Sequence, residues 1–170
     1  MYLLLALRLV HIVSGILWVG MMVFTVVFLT PALRDAGPAG DSVMAALLRR
    51  GMRTAMPLFA LATMVSGMWL FGRLSGGASM AFLRTPVGSA FGIGGAAALI
   101  AFVLGLVVLG PTMGRATALA ATLGSVATEE ERAARAAEID RLRSRAAAAG
   151  RVVALLLIVA AGAMAVARYV

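Results

Sequence analysis

Within the apolar runs of this chain one side chain is suited to acid–base or metal chemistry, and it is His11. Neutral imidazole serves both as a proton shuttle and as a common metal ligand. Read as a helix, the surrounding segment places Arg8, Ser14, Gly15, Trp18, Met22 and Thr25 near the same stripe by the i+3/i+4 rule. This is the most polar and most aromatic face of any apolar run, so it is expected to meet other helices or a bound group, not lipid. Three uses of His11 stand open: a hydrogen bond to a neighbouring helix or to water, axial ligation of a tetrapyrrole metal, and a copper site with methionine partners. For the tetrapyrrole, haem iron or chlorophyll-type magnesium, Gly15 would open room beside the imidazole for a flat ring. Trp18 lies too deep for an interfacial anchor and is expected to pack against something. Met64 or Met113 would offer iron a second axial sulfur. Eleven methionines bring copper into consideration, although methionine in apolar helices more often serves packing.

What the runs lack narrows the chemistry. All seven acids (Asp35, Asp41, Glu129, Glu130, Glu131, Glu138 and Asp140) fall between them. Ionisable residues at membrane depth mark proton relays and ion pathways, so their placement here argues against an ion-coupled transporter and an intramembrane protease. With no acid at the depth of His11, a Ser-His-Asp triad has no third member. The chain has no cysteine, which excludes disulfides, thiolate metal sites, iron–sulfur clusters and cysteine nucleophiles. A single histidine excludes a multi-histidine centre within one copy. Gly76-Gly77 and Gly92-Ile93-Gly94-Gly95 lack the preceding strand and the Lys-Ser/Thr of a phosphate loop. No catalytic residue is assigned.

The elements that position His11 follow from composition. Of 170 residues, 62% are hydrophobic and 13% charged, with a mean hydropathy of +1.02. That much apolar surface has no place inside a sphere this small, so the bilayer is its solvent. The expected fold is all-α: a polytopic membrane four-helix bundle, one integral membrane domain over residues 1–170. Its spans are expected at about 3–29, 55–72, 87–109 and 151–168, each near the roughly 20 residues that cross a hydrocarbon core. The first run reads as a retained helix, too long for a signal-peptide core and without a small-residue cleavage site. Thr30-Pro31 and Gly110-Pro111 end the first and third runs, and a break is expected at Pro57 before the second. No internal repeat is evident.

All 15 basic residues are arginine and the formal net charge is +8. Arg34, Arg49, Arg50 and Arg53 lie in the first connection; Arg115, Arg132, Arg135, Arg141, Arg143, Arg145 and Arg151 lie in the third. Arg8, Arg73, Arg84 and Arg168 belong to the opposite face. The positive-inside rule then puts both long connections in the cytoplasm and both termini outside, in a bacterial-type inner membrane. This basic excess reads as membrane orientation and not as nucleic-acid binding. Both connections are expected to be amphipathic helices. In the first, Asp41 would cap a helix carrying Met44, Leu47, Leu48, Met52 and Ala55 on one side and the arginines on the other. In the third, Thr128-Glu129-Glu130-Glu131 is a capping box, with a Glu131–Arg135 pair following. Gly88, Gly92, Ala97, Ala101 and Gly105 form a small-residue face on the third span, used within the bundle or against a partner protein.

The stretch His11-Ile12-Val13-Ser14-Gly15-Ile16-Leu17-Trp18-Val19-Gly20, closed by Phe24 and Pro31, resembles the first-helix signature of a broad membrane superfamily. That superfamily includes copper-resistance protein D-like domains, haem-binding membrane protoporphyrinogen oxidases and small four-helix proteins. The tail Met164-Ala165-Val166-Ala167-Arg168-Tyr169 is similar to the ending of the last group. The resemblance implies a role for His11 at a haem, whereas the oxidases carry further histidines and an intramembrane lysine that this chain lacks. The expectation is therefore a non-catalytic accessory subunit of a larger energy-transducing membrane complex, respiratory or photosynthetic, with lipid and other membrane subunits as partners. The alternative is a b-type haem protein with His11 as axial ligand and redox or tetrapyrrole-oxidation activity. A small copper or solute permease stands third.

Overall fold

The computed structural model describes residues 2–77, 79–126 and 128–170. Among these residues every element is helical, and four helices are long and apolar enough to cross a membrane: Tyr2–Asp35, Ala39–Leu74, Pro86–Ser125 and Glu129–Tyr169. The first is built from α1 (Tyr2–Phe24), a π-helical turn over Thr25–Leu29 and α2 (Thr30–Asp35). The π turn has a local cause. Pro31 has no N–H, and its ring crowds the carbonyl four residues back. Widening the preceding turn removes the conflict, and Thr30 N–H donates to the Thr25 carbonyl instead.

Gly37, at a φ of +56°, turns the chain into α3 (Pro38–Leu47). This corrects the expectation that Asp41 caps this helix: Pro38 supplies its start, as proline does at a first helical position, and Asp41 falls inside the first turn. The break before the second span is likewise at Gly51, at φ +98°, and not at Pro57. Pro57 is the fifth residue of α4 (Arg53–Leu74), near an end where few intrahelical bonds are lost. A short α5 (Met80–Leu83), capped by the Ser79 hydroxyl, leads to α6 (Pro86–Leu104), capped by Thr85.

After α6 the device of the first span recurs. A π turn over Gly105–Leu109 precedes Pro111, with Gly110 N–H donating to the Gly105 carbonyl, and α7 (Gly110–Ala121) follows directly. The two π turns end at the same distance before their prolines, a likeness that hydropathy alone does not disclose. The chain closes with α8 (Glu129–Val166), whose first turn shows half of the expected capping box: Thr128 Oγ1 accepts from Glu131 N–H at 3.3 Å, while the Glu131 carboxylate makes no return bond to Thr128 N–H. The expected Glu131–Arg135 pair does not form. Arg132 pairs with Glu129 at 2.6 Å, and Arg135 donates to the Thr122 hydroxyl at 3.4 Å.

α1 packs chiefly on α4, and α6 on α8. The two pairs share a core of Trp18 and Met22 from α1, Ala60 from α4, Ala101 from α6, and Val153, Ala154 and Leu157 from α8. Large apolar side chains such as Ile16, Val65, Ile93, Val107 and Leu155 point outward, while alanines fill the contacts, the arrangement expected where lipid is the solvent and close backbone approach holds helices together. At one end the two long connections meet, Arg143 lying 3.0 Å from Asp41; within the third connection Arg115 lies 2.7 Å from Glu138.

Candidate functional site

The seam between α1 and α4 carries a run of polar contacts in otherwise apolar surroundings. Ser14, Thr63 and Ser66 are buried and His11 is half-buried. His11 Nδ1 lies 2.9 Å from the Thr63 carbonyl oxygen. A carbonyl only accepts, so Nδ1 carries the proton and donates. Ser66 Oγ lies 3.4 Å from the same nitrogen, its own hydroxyl hydrogen directed to the Ala62 carbonyl at 2.5 Å. One turn further along, the Ser14 hydroxyl donates to the Val10 carbonyl at 2.6 Å and is left free to accept from Thr63 Oγ1 at 2.9 Å.

Gly67 makes this arrangement possible. A Cβ added there would stand 2.7 Å from His11 Cε1 and 3.0 Å from Nδ1. The imidazole thus lies against the bare backbone of α4, and only glycine leaves room for it. In the neutral ring with Nδ1 as donor, Nε2 holds the free lone pair, and among the described residues it has no hydrogen-bond partner. Ligating histidines are commonly held in this way, one nitrogen donating to a backbone carbonyl and the other turned to the metal.

The other residues singled out as cofactor contacts go elsewhere. A Cβ on Gly15 would meet Thr63 Cγ2 at 3.6 Å, so that position faces α4 and not open space. Trp18 is 4% exposed and packs edge-on to Phe102, centroids 6.3 Å apart. Met64 packs against Ala97, Ala98 and Ala160. The apolar groove between α1 and α4, lined by Leu9, Val13, Leu17, Leu58 and Phe59 among others, does not include His11. Of the residues proposed to hold a tetrapyrrole, His11 alone has its ring oriented by a hydrogen bond on one nitrogen with the other left unengaged. No group of three His, Asp or Glu suited to a metal occurs among the described residues.

The proposed interface face is also engaged within the chain. Gly88 and Gly92 lie under Phe82 and Leu83 of α5, and Ala97 and Ala101 are buried against α8 and the core. Gly105 sits in the π turn with nothing near its Cβ position.

Comparison with protein-family models, curated proteins and solved structures finds no match. The site must therefore be read from its own geometry. His11 meets another helix, one of the two outcomes left open for its face, through Thr63, Ser66 and Gly67, which the sequence reading did not name. A signal was available. Thr63 and Ser66 stand three residues apart on one face of the second run, with glycine beside them, the composition expected of a surface that receives a polar side chain in lipid.

Proposed function

We propose that this chain is a four-helix membrane bundle acting as a non-catalytic accessory subunit of a larger energy-transducing membrane complex, respiratory or photosynthetic. The observation that supports this most is the commitment of its one intramembrane imidazole. His11 is tied through Nδ1 to the Thr63 carbonyl and lies against Gly67, holding two spans together. No carboxylate stands near enough to the imidazole to pair with it among the described residues. In this reading the arginine-rich connections lie in the cytoplasm of a bacterial-type inner membrane and both termini lie outside. Partner subunits then meet the outward apolar faces of the spans or the joined connections. The test is isolation of the tagged chain from its native membrane in mild detergent. Co-purification with other integral membrane subunits in a fixed ratio is expected; a chain that elutes alone from every extraction contradicts the proposal.

A second reading has one observation in its favour. Nε2 is unengaged while Nδ1 donates to a backbone carbonyl, which suits His11 as an axial ligand of haem or a related tetrapyrrole. The resemblance of the first helix to haem-binding membrane proteins points the same way, while the distribution of Gly15, Trp18 and Met64 over seam and core does not. Visible spectra of the purified chain before and after dithionite separate the two. A stoichiometric haem band that vanishes in His11→Ala would establish the second reading, and a colourless chain would remove it.

A further inference from the structure

The helical stretch Ala39–Leu74 is 36 residues long. Straight, it would measure about 54 Å at 1.5 Å per residue, far more than the hydrocarbon thickness of about 30 Å. It is not straight. Gly51 takes φ +98° and ψ 4°, a conformation that ends one helix and begins another, and its Cβ position faces open space. The residue is glycine because of its backbone conformation, and packing has no part in the choice. Beyond it the 22 residues of α4 extend about 33 Å, one bilayer core. The length of α4 therefore puts the elbow at headgroup level, and α3 precedes it with Met44, Leu47 and Leu48 half-buried.

Arg49, Arg50 and Arg53 flank this elbow, and all three are exposed. None has a carboxylate partner: the ion pairs among the described residues are Arg115–Glu138, Arg132–Glu129 and Arg143–Asp41. Asp41, the acid on the adjoining helix, is taken by an arginine 102 residues away in sequence. Asp35, the other nearby acid, is exposed at the end of α2 and pairs with none of the three. Three unneutralised guanidinium groups at a membrane boundary, each able to grip a phosphate with two parallel N–H donors, lack a counter-charge within the chain. We propose that the Gly51 elbow, with Arg49, Arg50 and Arg53, is a binding site for the headgroups of anionic phospholipids. The inference rests on the membrane reading of the four helices and is independent of the accessory-subunit role.

The experiment titrates the full chain in neutral detergent with phosphatidylglycerol or phosphatidylcholine and counts bound lipid by native mass spectrometry. The wild type is expected to retain phosphatidylglycerol in preference to phosphatidylcholine. Since each arginine near an anionic surface contributes about fivefold, Arg49→Gln/Arg50→Gln/Arg53→Gln is expected to weaken that preference tenfold or more. Arg115→Gln/Arg135→Gln/Arg141→Gln removes the same charge from elsewhere on the same end and is expected to leave the preference within about twofold of the wild type. Equal losses in the two triples would mean diffuse attraction and overturn the site. Displacement of the lipid by millimolar inorganic phosphate would mark a free-anion site and overturn it too. If the elbow triple does not elute as a folded monomer, the three single Arg→Gln variants are read instead, and singles without effect overturn the proposal.

Discussion

At the scale of residues, Gly67 and His11 form a pair in which each explains the other. The ring needs a bare stretch of α4 backbone, and the glycine gains a flat side chain to cover it. Gly67→Ala drives a methyl into Cε1, and overpacking of this kind destabilises by about 1–3 kcal/mol; thermal unfolding in detergent should show it as a lower midpoint. The Ser14–Thr63 contact is of a different magnitude. The Ser14 hydrogen goes to the Val10 carbonyl, and the single Thr63 hydroxyl hydrogen is shared between the Phe59 carbonyl at 2.7 Å and Ser14 Oγ at 2.9 Å, so the mutual bond adds little. A double-mutant cycle of Ser14→Ala and Thr63→Ala is expected to give a coupling near 0.6 kcal/mol, the average measured between membrane helices; a coupling above about 2 kcal/mol would mean the seam depends on this pair more than the geometry allows. The His11 face was legible from its residue types at helical spacing. Its counterpart was marked only by Thr63, Ser66 and Gly67 at close spacing on the second run, a polar signal too short to single out that face before the packing was seen.

At the scale of elements, two kinds of glycine can be told apart. Gly51 holds a left-handed conformation, so Gly51→Ala is expected to destabilise by about 1–2 kcal/mol. Gly114 is an ordinary helical residue of α7 with open space around it, so Gly114→Ala is expected to stabilise by up to about 1 kcal/mol. Opposite shifts of the unfolding midpoint check the pair; shifts of the same sign contradict it. The Thr128 cap was readable because a hydroxyl followed three residues later by glutamate is a local signal. Thr128→Ala should cost about 1 kcal/mol, seen as faster amide exchange in the first turn of α8. The position of the break before the second span was not readable. Pro57 is the conspicuous helix breaker, but near a helix start its missing donor matters little, whereas the φ of Gly51 leaves no mark in composition.

At the scale of the molecule, four long apolar helices were plain from hydropathy, because an excess of apolar residues has only one solvent. Which faces pair was not plain. Small residues recur on several spans, and only the packed arrangement shows Ala97 and Ala101 turned to α8. The Asp41–Arg143 contact places the two long connections at one end. Both partners are partly exposed, so Arg143→Ala should change stability by less than about 1 kcal/mol. The proposed orientation has a direct check in a chain without cysteine. With an impermeant maleimide, Arg84→Cys is expected to label on intact cells and Ala118→Cys only after permeabilisation; the reverse pattern would invert the topology.

The claim on which the functional reading turns is that the intramembrane imidazole is a structural clasp. With one histidine in the chain, ¹⁵N-histidine labelling gives a single pair of ring resonances and no assignment problem. Solid-state NMR of the native assembly in lipid is expected to show Nδ1 protonated and hydrogen-bonded, and Nε2 bare and diamagnetic. An Nε2 shifted or broadened by a bound metal would contradict the clasp and make His11 a ligand.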